Sequence, residues 1–210
     1  MQTNLEVFSR KKEPSADEYQ KLFSMIQEQT GRLSHLAEIL LDMTGIQSVE
    51  RSDFISLAEL TDEVCCDLAS IADQKKVELI QEEGDCTVTG SYLLLYRAVY
   101  NLVENAIKYN HSGGKVTVKI SQTKALSAAH SKPTDYALVE VTDTGIGISP
   151  EFQEKIFDPF FRVDKSRSRA MGGAGLGLAL VNEIARQHGG EVKVLKSNKN
   201  GSTIALILPL

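Results

Sequence analysis

The sequence predicts an α/β fold in which helices cover a mixed β-sheet, preceded by an N-terminal helical segment. Two patterns predict this fold. From about Asp53 onward, short alternating runs that suit strands interleave with longer runs whose apolar residues recur at helical spacing. Ahead of them, apolar residues follow a heptad along one stretch. The 210 residues, 42% of them hydrophobic, suffice for one or two domains with a buried core.

The N-terminal stretch predicts two helices. Met1–Lys12 is short and weakly amphipathic, and Pro14 ends it. Ser15 and Glu18 have the spacing of a capping box, so a second helix begins there and runs to about Gly45. The apolar seam of this helix, interrupted only by Gln29, is Tyr19, Leu22, Ile26, Leu33, Leu36, Leu40 and Met43. Its length favours packing in a bundle or dimer over an ordinary core helix.

The rest of the chain alternates between strands and helices. We expect strands at Asp53–Leu57, Val77–Glu82, Cys86–Thr89, Lys115–Gln122, Tyr136–Asp143, Glu191–Lys196 and Gly201–Leu208. We expect helices at Leu57–Lys76, Ser91–Tyr109 and Gly177–His188. Thr123–Asp135 is polar and contains a proline, which predicts a loop. Ser149–Gly172 is irregular, with a short helix near Pro150–Ile156.

Composition excludes several classes of protein. The net charge of −5 and the lack of a basic block argue against nucleic acid or an anionic membrane surface as a partner. Three cysteines, two of them adjacent, predict neither a disulfide framework nor a zinc site and fit a reducing cytoplasm. The sequence contains no run of 18 apolar residues, so it predicts no membrane span within the chain.

Polar residues recur along one face of the apolar helix predicted at 91–109. Asn101, Asn105 and Lys108 are spaced so that they share this face. Amide oxygens suit Mg²⁺, and a lysine supplies a point charge for phosphate. Taken alone, the pattern fits a ligand-binding face and an exposed polar stripe equally well.

A second motif follows the strand predicted at 136–143. Asp143 ends this strand, and Gly145 and Gly147 come next with one residue between them. Glycines let a backbone pass close to a ligand, and the aspartate can accept hydrogen bonds from an amino group. By itself, however, this motif favours a plain turn.

Two further motifs complete the set. The segment from Phe157 to Arg162 contains three phenylalanines, which fits either a docking segment or a corner of the core. Four glycines between Gly172 and Gly177 lead directly into a helix, where exposed N–H groups can cradle phosphate. A dinucleotide-binding turn would need a strand directly before these glycines, but the preceding stretch is basic and irregular.

Together, in this order and spacing, the four motifs resemble the N, G1, F and G2 boxes of the histidine-kinase ATP-binding domain within the GHKL superfamily. The resemblance covers roughly Ser52 to Leu210. It implies a Bergerat-type two-layer α/β sandwich with a mixed sheet at residues 51–210. It also implies that residues 1–50 form part of the dimerisation and phosphotransfer helical hairpin, and that Ser149–Met171 is a lid over ATP.

The resemblance also implies a role for each matching residue. Asn105 would bind Mg²⁺ with assistance from Asn101, and Lys108 would reach the phosphates. Arg162 would stabilise charge on the γ-phosphate. The residues expected to bind the nucleotide are Tyr109, Asp143, Gly145, Gly147, Gly173, Gly175, Leu176 and Gly177. Asp143 would accept a hydrogen bond from the adenine amino group, and Gly173, Gly175 and Gly177 would form the phosphate cradle.

Two features of the sequence refine the expected activity. Relatives that hydrolyse ATP with water carry a glutamate where this chain has Asn101, so we expect transfer to a side chain and only slow hydrolysis. In the H box of the family, the phosphate-accepting histidine is followed by an acidic residue, with a proline a few residues on. None of His35, His111, His130 and His188 has both of these neighbours. We therefore expect a fragment of a longer, membrane-anchored sensor kinase whose H box precedes Met1, and no autophosphorylation by the fragment itself.

The expected partners follow from the same resemblance. They are a response regulator and, through the shortened hairpin, a second copy of the chain. Two alternatives stay open. One is a serine-kinase-like protein of the same superfamily, and the other is a nucleotide-binding regulator without catalytic activity.

Overall fold

The structure is a computed structural model that describes residues 15, 17, 19–27, 30, 50–125, 134–163 and 175–210. The chain divides into two compact units, Met1–Glu38 and Ile39–Leu210. The sequence-based boundary between residues 50 and 51 stays a prediction. Among the described residues, no helix is both long enough and apolar enough to cross a membrane.

The N-terminal unit contains the start of the heptad helix. Its described residues from 17 to 30 are helical, and the Tyr19 amide donates to the Ser15 carbonyl at 3.1 Å. The seam residues Leu22 and Ile26 are half-buried, whereas Tyr19 and Phe23 are exposed. The other seam residues, Leu33, Leu36, Leu40 and Met43, lie outside the described residues, as does the first predicted helix. Packing in a bundle therefore stays a prediction.

The second unit is built on two sheets. The strands are β1 (Asp53–Ser56), β2 (Glu78–Gln81), β3 (Thr87–Gly90), β4 (Lys115–Ala125), β5 (Thr134–Asp143), β6 (Glu191–Asn198) and β7 (Gly201–Pro209). β1 and β3 form an antiparallel pair. The main sheet has the order β2-β4-β5-β7-β6, in which only the β2–β4 pair is parallel. This mixed sheet confirms the predicted α/β class.

Three helices pack against the main sheet: α1 (Leu57–Lys75), α2 (Tyr92–Lys108) and α3 (Gly177–Gln187). α2 is the central one, because it contacts α1, α3, β4 and β5. The Ser56 hydroxyl caps α1 by accepting from the Glu59 amide at 3.2 Å, and the three-residue spacing of Ser56 and Glu59 in the sequence predicts such a cap. Val118 and Val139 lie on the sheet face that is buried against the helices. The helices and the sheet thus form two layers around one core.

Alternation along β5 decides which of its side chains face the helices. Val139 and Val141 are buried, and Asp143 follows them in the same phase of the strand. Lys119 and Glu140, which pair across β4 and β5, carry polar side chains on the opposite face. Asp143 therefore lies on the helix-facing side of the sheet, at the end of its strand.

Two sequence-based boundaries were wrong. The loop expected at 123–135 is shorter at both ends, because the ladder of β4 and β5 continues through the pairs Thr123–Tyr136 and Lys124–Asp135. Opposite charges at the second pair, 3.8 Å apart, favour this extension. The short helix expected near 150–156 is instead two 3₁₀ turns, Pro150–Phe152 and Lys155–Phe157.

Candidate nucleotide site

The Asp143 carboxylate is held by main-chain donors at the end of β5. Its Oδ1 accepts a hydrogen bond from the Gly145 amide at 2.7 Å, and the Ser202 amide of β7 is a second donor. Burial raises the pKa of Asp143, while these two N–H groups and the nearby His111 act in the opposite direction. The carboxylate is thus half-buried and fixed in orientation, as a side chain that reads a ligand must be.

The turn after Asp143 is pressed against the end of α2. We call residues 143–147 the G1 turn. The Ile146 amide donates to the carbonyl of Tyr109, the C-cap of α2, at 3.3 Å. A β-carbon on Gly145 would lie 2.5 Å from that carbonyl oxygen, so only glycine allows this approach. Gly147 has φ +69°, and a β-carbon there would lie 1.7 Å from the Asn198 carbonyl oxygen.

The polar face predicted on α2 is present and borders the G1 turn. Asn101, Asn105 and Lys108 are all half-buried. The side-chain NH₂ group of Asn101 donates to the Arg97 carbonyl at 2.8 Å. The side-chain oxygen of Asn101 takes no part in this hydrogen bond. The Lys108 ammonium lies 5.7 Å from the centre of the Tyr109 ring. We call Asn101, Asn105 and Lys108 together the asparagine face.

The start of α3 meets the asparagine face. A β-carbon on Gly177, the first residue of α3, would lie 2.5 Å from Asn101 Oδ1 and 3.7 Å from Asn105 Nδ2. Leu176, just before it, is almost fully buried, so any contact with a ligand there would come from its main chain. The first and fourth sequence motifs, far apart in the chain, are therefore neighbours in the fold.

The phenylalanine segment joins the glycine-rich one. The Phe160 amide donates to the Gly175 carbonyl at 2.8 Å, and a β-carbon on Gly175 would lie 2.7 Å from the Phe161 carbonyl oxygen. Arg162 is half-buried and close enough to Tyr109 to act on its hydroxyl. Burial raises the pKa of Tyr109, the Arg162 charge lowers it, and Glu104 raises it again.

The structure describes eleven of the twelve site residues that the sequence predicted, and their contacts join the G1 turn to Tyr109, Gly177 to Asn101, and Gly175 to Arg162. The twelfth, Gly173, lies outside the described residues, as do Gly172 and Ala174. Sequence reasoning missed Asn110, Thr144 and Ser202, which support the G1 turn. Asn110 and Thr144 directly follow residues of the predicted motifs, a signal that was available. Ser202 had none, because only the β5–β7 register pairs it with Asp143.

Residues 90–210, more than half of the chain, match the family described as histidine kinase-, DNA gyrase B- and HSP90-like ATPases. The chain belongs to this family. Its relatives are sensor histidine kinases, which confirms the resemblance. The sensor-like histidine kinase SenX3 of Mycobacterium tuberculosis is 35% identical over 185 residues, covering 86% of this chain and 43% of that protein. The chain therefore spans less than half the length of this relative.

Solved structures agree with the fold. The mycobacterial sensor histidine kinase MprB is 28% identical, with a TM-score of 0.59 over 75% of this chain and 97% of that one. The histidine kinase ThkA, in complex with the response regulator protein TrrA, is 23% identical with a TM-score of 0.71, over 99% of this chain and 56% of that one. Because its identity is low, the second likeness bears on the fold alone.

Proposed function

We propose that this chain is the phosphate-donating part of a two-component sensor histidine kinase. It binds Mg·ATP and transfers the γ-phosphate to a histidine that this sequence does not contain, for relay to a response regulator. The observation that carries the proposal is that the other three sequence motifs lie along the C-terminal half of α2, from Asn101 to Tyr109. Family membership supports ATP as the ligand.

The described residues fit a nucleotide better than they fit a free metal ion. At Gly145 and Gly177 the chain passes so close to its neighbours that an added β-carbon would collide with them. Main-chain N–H groups are therefore the groups that can meet a phosphate-bearing ligand there. No group of three His, Cys, Asp or Glu side chains in the described ranges is arranged to hold a metal. An amide ligand such as Asn105 suits an Mg²⁺ ion that is bound mainly by phosphate and water.

In the proposed mechanism, the protein positions ATP and stabilises charge. Asp143 accepts a hydrogen bond from the adenine amino group. Lys108 and Arg162 would contact the phosphates, and Asn105 would hold Mg²⁺ with Asn101 beside it. Bound Mg²⁺ neutralises charge on the phosphate oxygens. As the γ-phosphorus bonds to the histidine nitrogen, its bond to the ADP oxygen breaks, and these fixed charges stabilise the transition state.

Calorimetry with Mg·ATP tests the site. We expect Asp143→Asn to weaken binding by about tenfold or more, because a site built to accept from the amino group then presents a donor to it. Asp135→Asn, on the same strand but exposed, is the matched control and should bind like the parent. Equal affinity of the parent and the Asp143 variant would refute the assignment.

A transfer assay tests the reaction. The chain is mixed with labelled ATP and a helical hairpin that carries the acceptor histidine. We expect label on that histidine, and none when the chain carries Asn105→Ala or the hairpin carries alanine in place of the histidine. Label on serine would favour the serine-kinase alternative, and binding without any transfer would favour a non-catalytic regulator.

We also propose where and with what the protein works. SenX3 and MprB are sensor histidine kinases, and the resemblance to two-component sensor kinases implies a response regulator as the final acceptor. All three cysteines, Cys65, Cys66 and Cys86, are free, which fits a reducing cytoplasm. A second copy of the chain is the proposed partner of the heptad helix.

A further inference from the structure

A small polar network lies beneath the G1 turn. Thr144 Oγ1 accepts a hydrogen bond from the Lys115 amide at 2.8 Å. The same hydroxyl lies 3.3 Å from Asn110 Oδ1, to which it can donate. The Asn110 side-chain amide in turn donates to the Lys115 carbonyl at 3.0 Å. The end of α2, the start of β4 and the turn after β5 are therefore tied together through two side chains.

Both side chains are used close to their full capacity. A threonine hydroxyl offers one donor, and an asparagine offers a carbonyl oxygen and an amide. Asn110 Oδ1 also accepts from the His111 amide at 3.0 Å, and the loop passes so close that a β-carbon on Gly114 would lie 2.1 Å from it. The Lys115 carbonyl accepts from the Thr144 amide as well, at 3.1 Å. Such a fully connected network fixes its members in position.

The network adjoins two parts of the proposed nucleotide site along the chain. Thr144 directly follows Asp143, which is proposed to read the adenine amino group. Asn110 directly follows Tyr109, which ends the helix that carries the proposed phosphate-binding face. Elsewhere the turn meets the helix end through the Ile146 amide, which lies 3.3 Å from the Tyr109 carbonyl, and through Gly145, which packs on the same carbonyl. The network thus holds the G1 turn against the end of α2, next to the strand pairing that places Asp143 at the end of β5.

We propose that Asn110 and Thr144 are positioning residues that give the site its selectivity for adenine. The inference rests on the proposed function. A hydrogen bond weakens steeply when its length or angle changes, so a small shift of the G1 turn impairs reading of the base. Lys108 and Asn105 are carried by α2 itself, so phosphate binding does not depend on that turn.

The test compares two nucleotides by calorimetry, in the presence of Mg²⁺. ATP carries the 6-amino group, and inosine triphosphate has a carbonyl oxygen in its place. We expect the parent to prefer ATP by about tenfold or more. Thr144→Val keeps the shape but removes the hydroxyl, and should reduce this preference at least about threefold by weakening ATP alone. Thr144→Ser, which keeps the hydroxyl, is the matched control and should retain the preference of the parent.

A second variant probes the other half of the network. Asn110→Ala should lower the preference in the same way, and the double variant should lose less than the two single losses combined, because both changes break one network. Thermal melts show that each variant is folded. An unchanged preference in both single variants would overturn the proposal, and so would an equal loss for the two nucleotides. If the parent itself binds neither nucleotide, or if Asp143→Asn binds ATP normally, the proposed function fails instead.

Discussion

At the scale of single residues, a substitution at Gly177 should affect nucleotide affinity and protein stability differently. A β-carbon there would lie 2.5 Å from the Asn101 side-chain oxygen, which can rotate away. Because φ at Gly177 is not positive, alanine there also lowers the conformational entropy of the unfolded chain, which stabilises the fold by about 0.4–1 kcal/mol. We therefore expect Gly177→Ala to keep or raise the free energy of unfolding, measured with urea, while its affinity for Mg·ATP falls several-fold because Asn101 is displaced.

Gly145 provides the contrast to this prediction. The added β-carbon would lie 2.5 Å from the Tyr109 carbonyl oxygen, a main-chain atom that cannot turn aside. Gly145→Ala should therefore lose stability and nucleotide affinity together. If Gly177→Ala lost as much stability as Gly145→Ala, the contact between Gly177 and Asn101 would serve packing and not ligand binding, and the prediction for Gly177 would be wrong.

His188 has a structural task, and its titration should be visible in the stability of the protein. Its Nε2 accepts from the Ser91 amide at 3.1 Å, and its Nδ1 is 2.8 Å from the Ile184 carbonyl, an arrangement that suits the neutral ring. Burial lowers the pKa of His188 below its usual 6.5, the bond to Ile184 raises it, and the Arg51 charge lowers it further.

The sign of the effect follows from linkage. Below about pH 6.5 the unfolded chain takes up a proton at this histidine that the folded chain resists, so stability falls as the pH drops. We expect urea unfolding at pH 7.5 and 5.5 to show a smaller loss for His188→Gln, which keeps an acceptor but does not titrate, than for the parent. Equal losses would mean that His188 is protonated alike in both states.

At the scale of elements, α2 has one face in the core and another in solvent. Leu95 is fully buried, whereas Leu93, two residues earlier, is 55% exposed. Leu95→Ala should lower the free energy of unfolding by about 2–5 kcal/mol, since it leaves a cavity. Leu93→Ala, the matched control, should change it by less than about 0.5 kcal/mol. A similar loss in both would contradict the packing of α2 described above.

Elements with a local signal could be predicted from the sequence. The start of α1 was predicted because Ser56 and Glu59 are three residues apart, and the cap depends on that spacing alone. The extension of β4 and β5 was missed because it depends on pairing between the strands. Nothing in the local sequence around Lys124 indicates a strand, and its extended conformation depends on Asp135 in the opposite strand. The contact between α2 and α3 was likewise beyond reach without the family resemblance.

At the scale of the whole molecule, the candidate site exists only because distant segments meet. Asn101, Asp143 and Gly177 belong to three elements, and no pattern within one of them fixes the distances between them. Their roles could be predicted only because the four motifs together resemble a known family, since each motif alone left another interpretation open. Their arrangement depends on the sheet register, which is set by burial of one face along the whole ladder.

The same view predicts how ligands should act on the stability of the whole protein. With Mg·ATP at about 100 times its dissociation constant, a folded state that binds it gains about 2.7 kcal/mol. For a unit of this size that corresponds to a rise in Tm of about 5–10 °C. Because no carboxylate cluster in the described part of the chain is arranged for a metal, Mg²⁺ alone should leave Tm unchanged.

Removal of the metal completes this prediction. ATP with EDTA should raise Tm by clearly less than Mg·ATP, since the phosphates then lack the Mg²⁺ ion that Asn105 is proposed to hold. In Asn105→Ala the difference between the two conditions should shrink, while Asp135→Asn should behave like the parent. A rise in Tm with Mg²⁺ alone would point to a metal site built from protein side chains, and the role given to Asn105 would then be wrong.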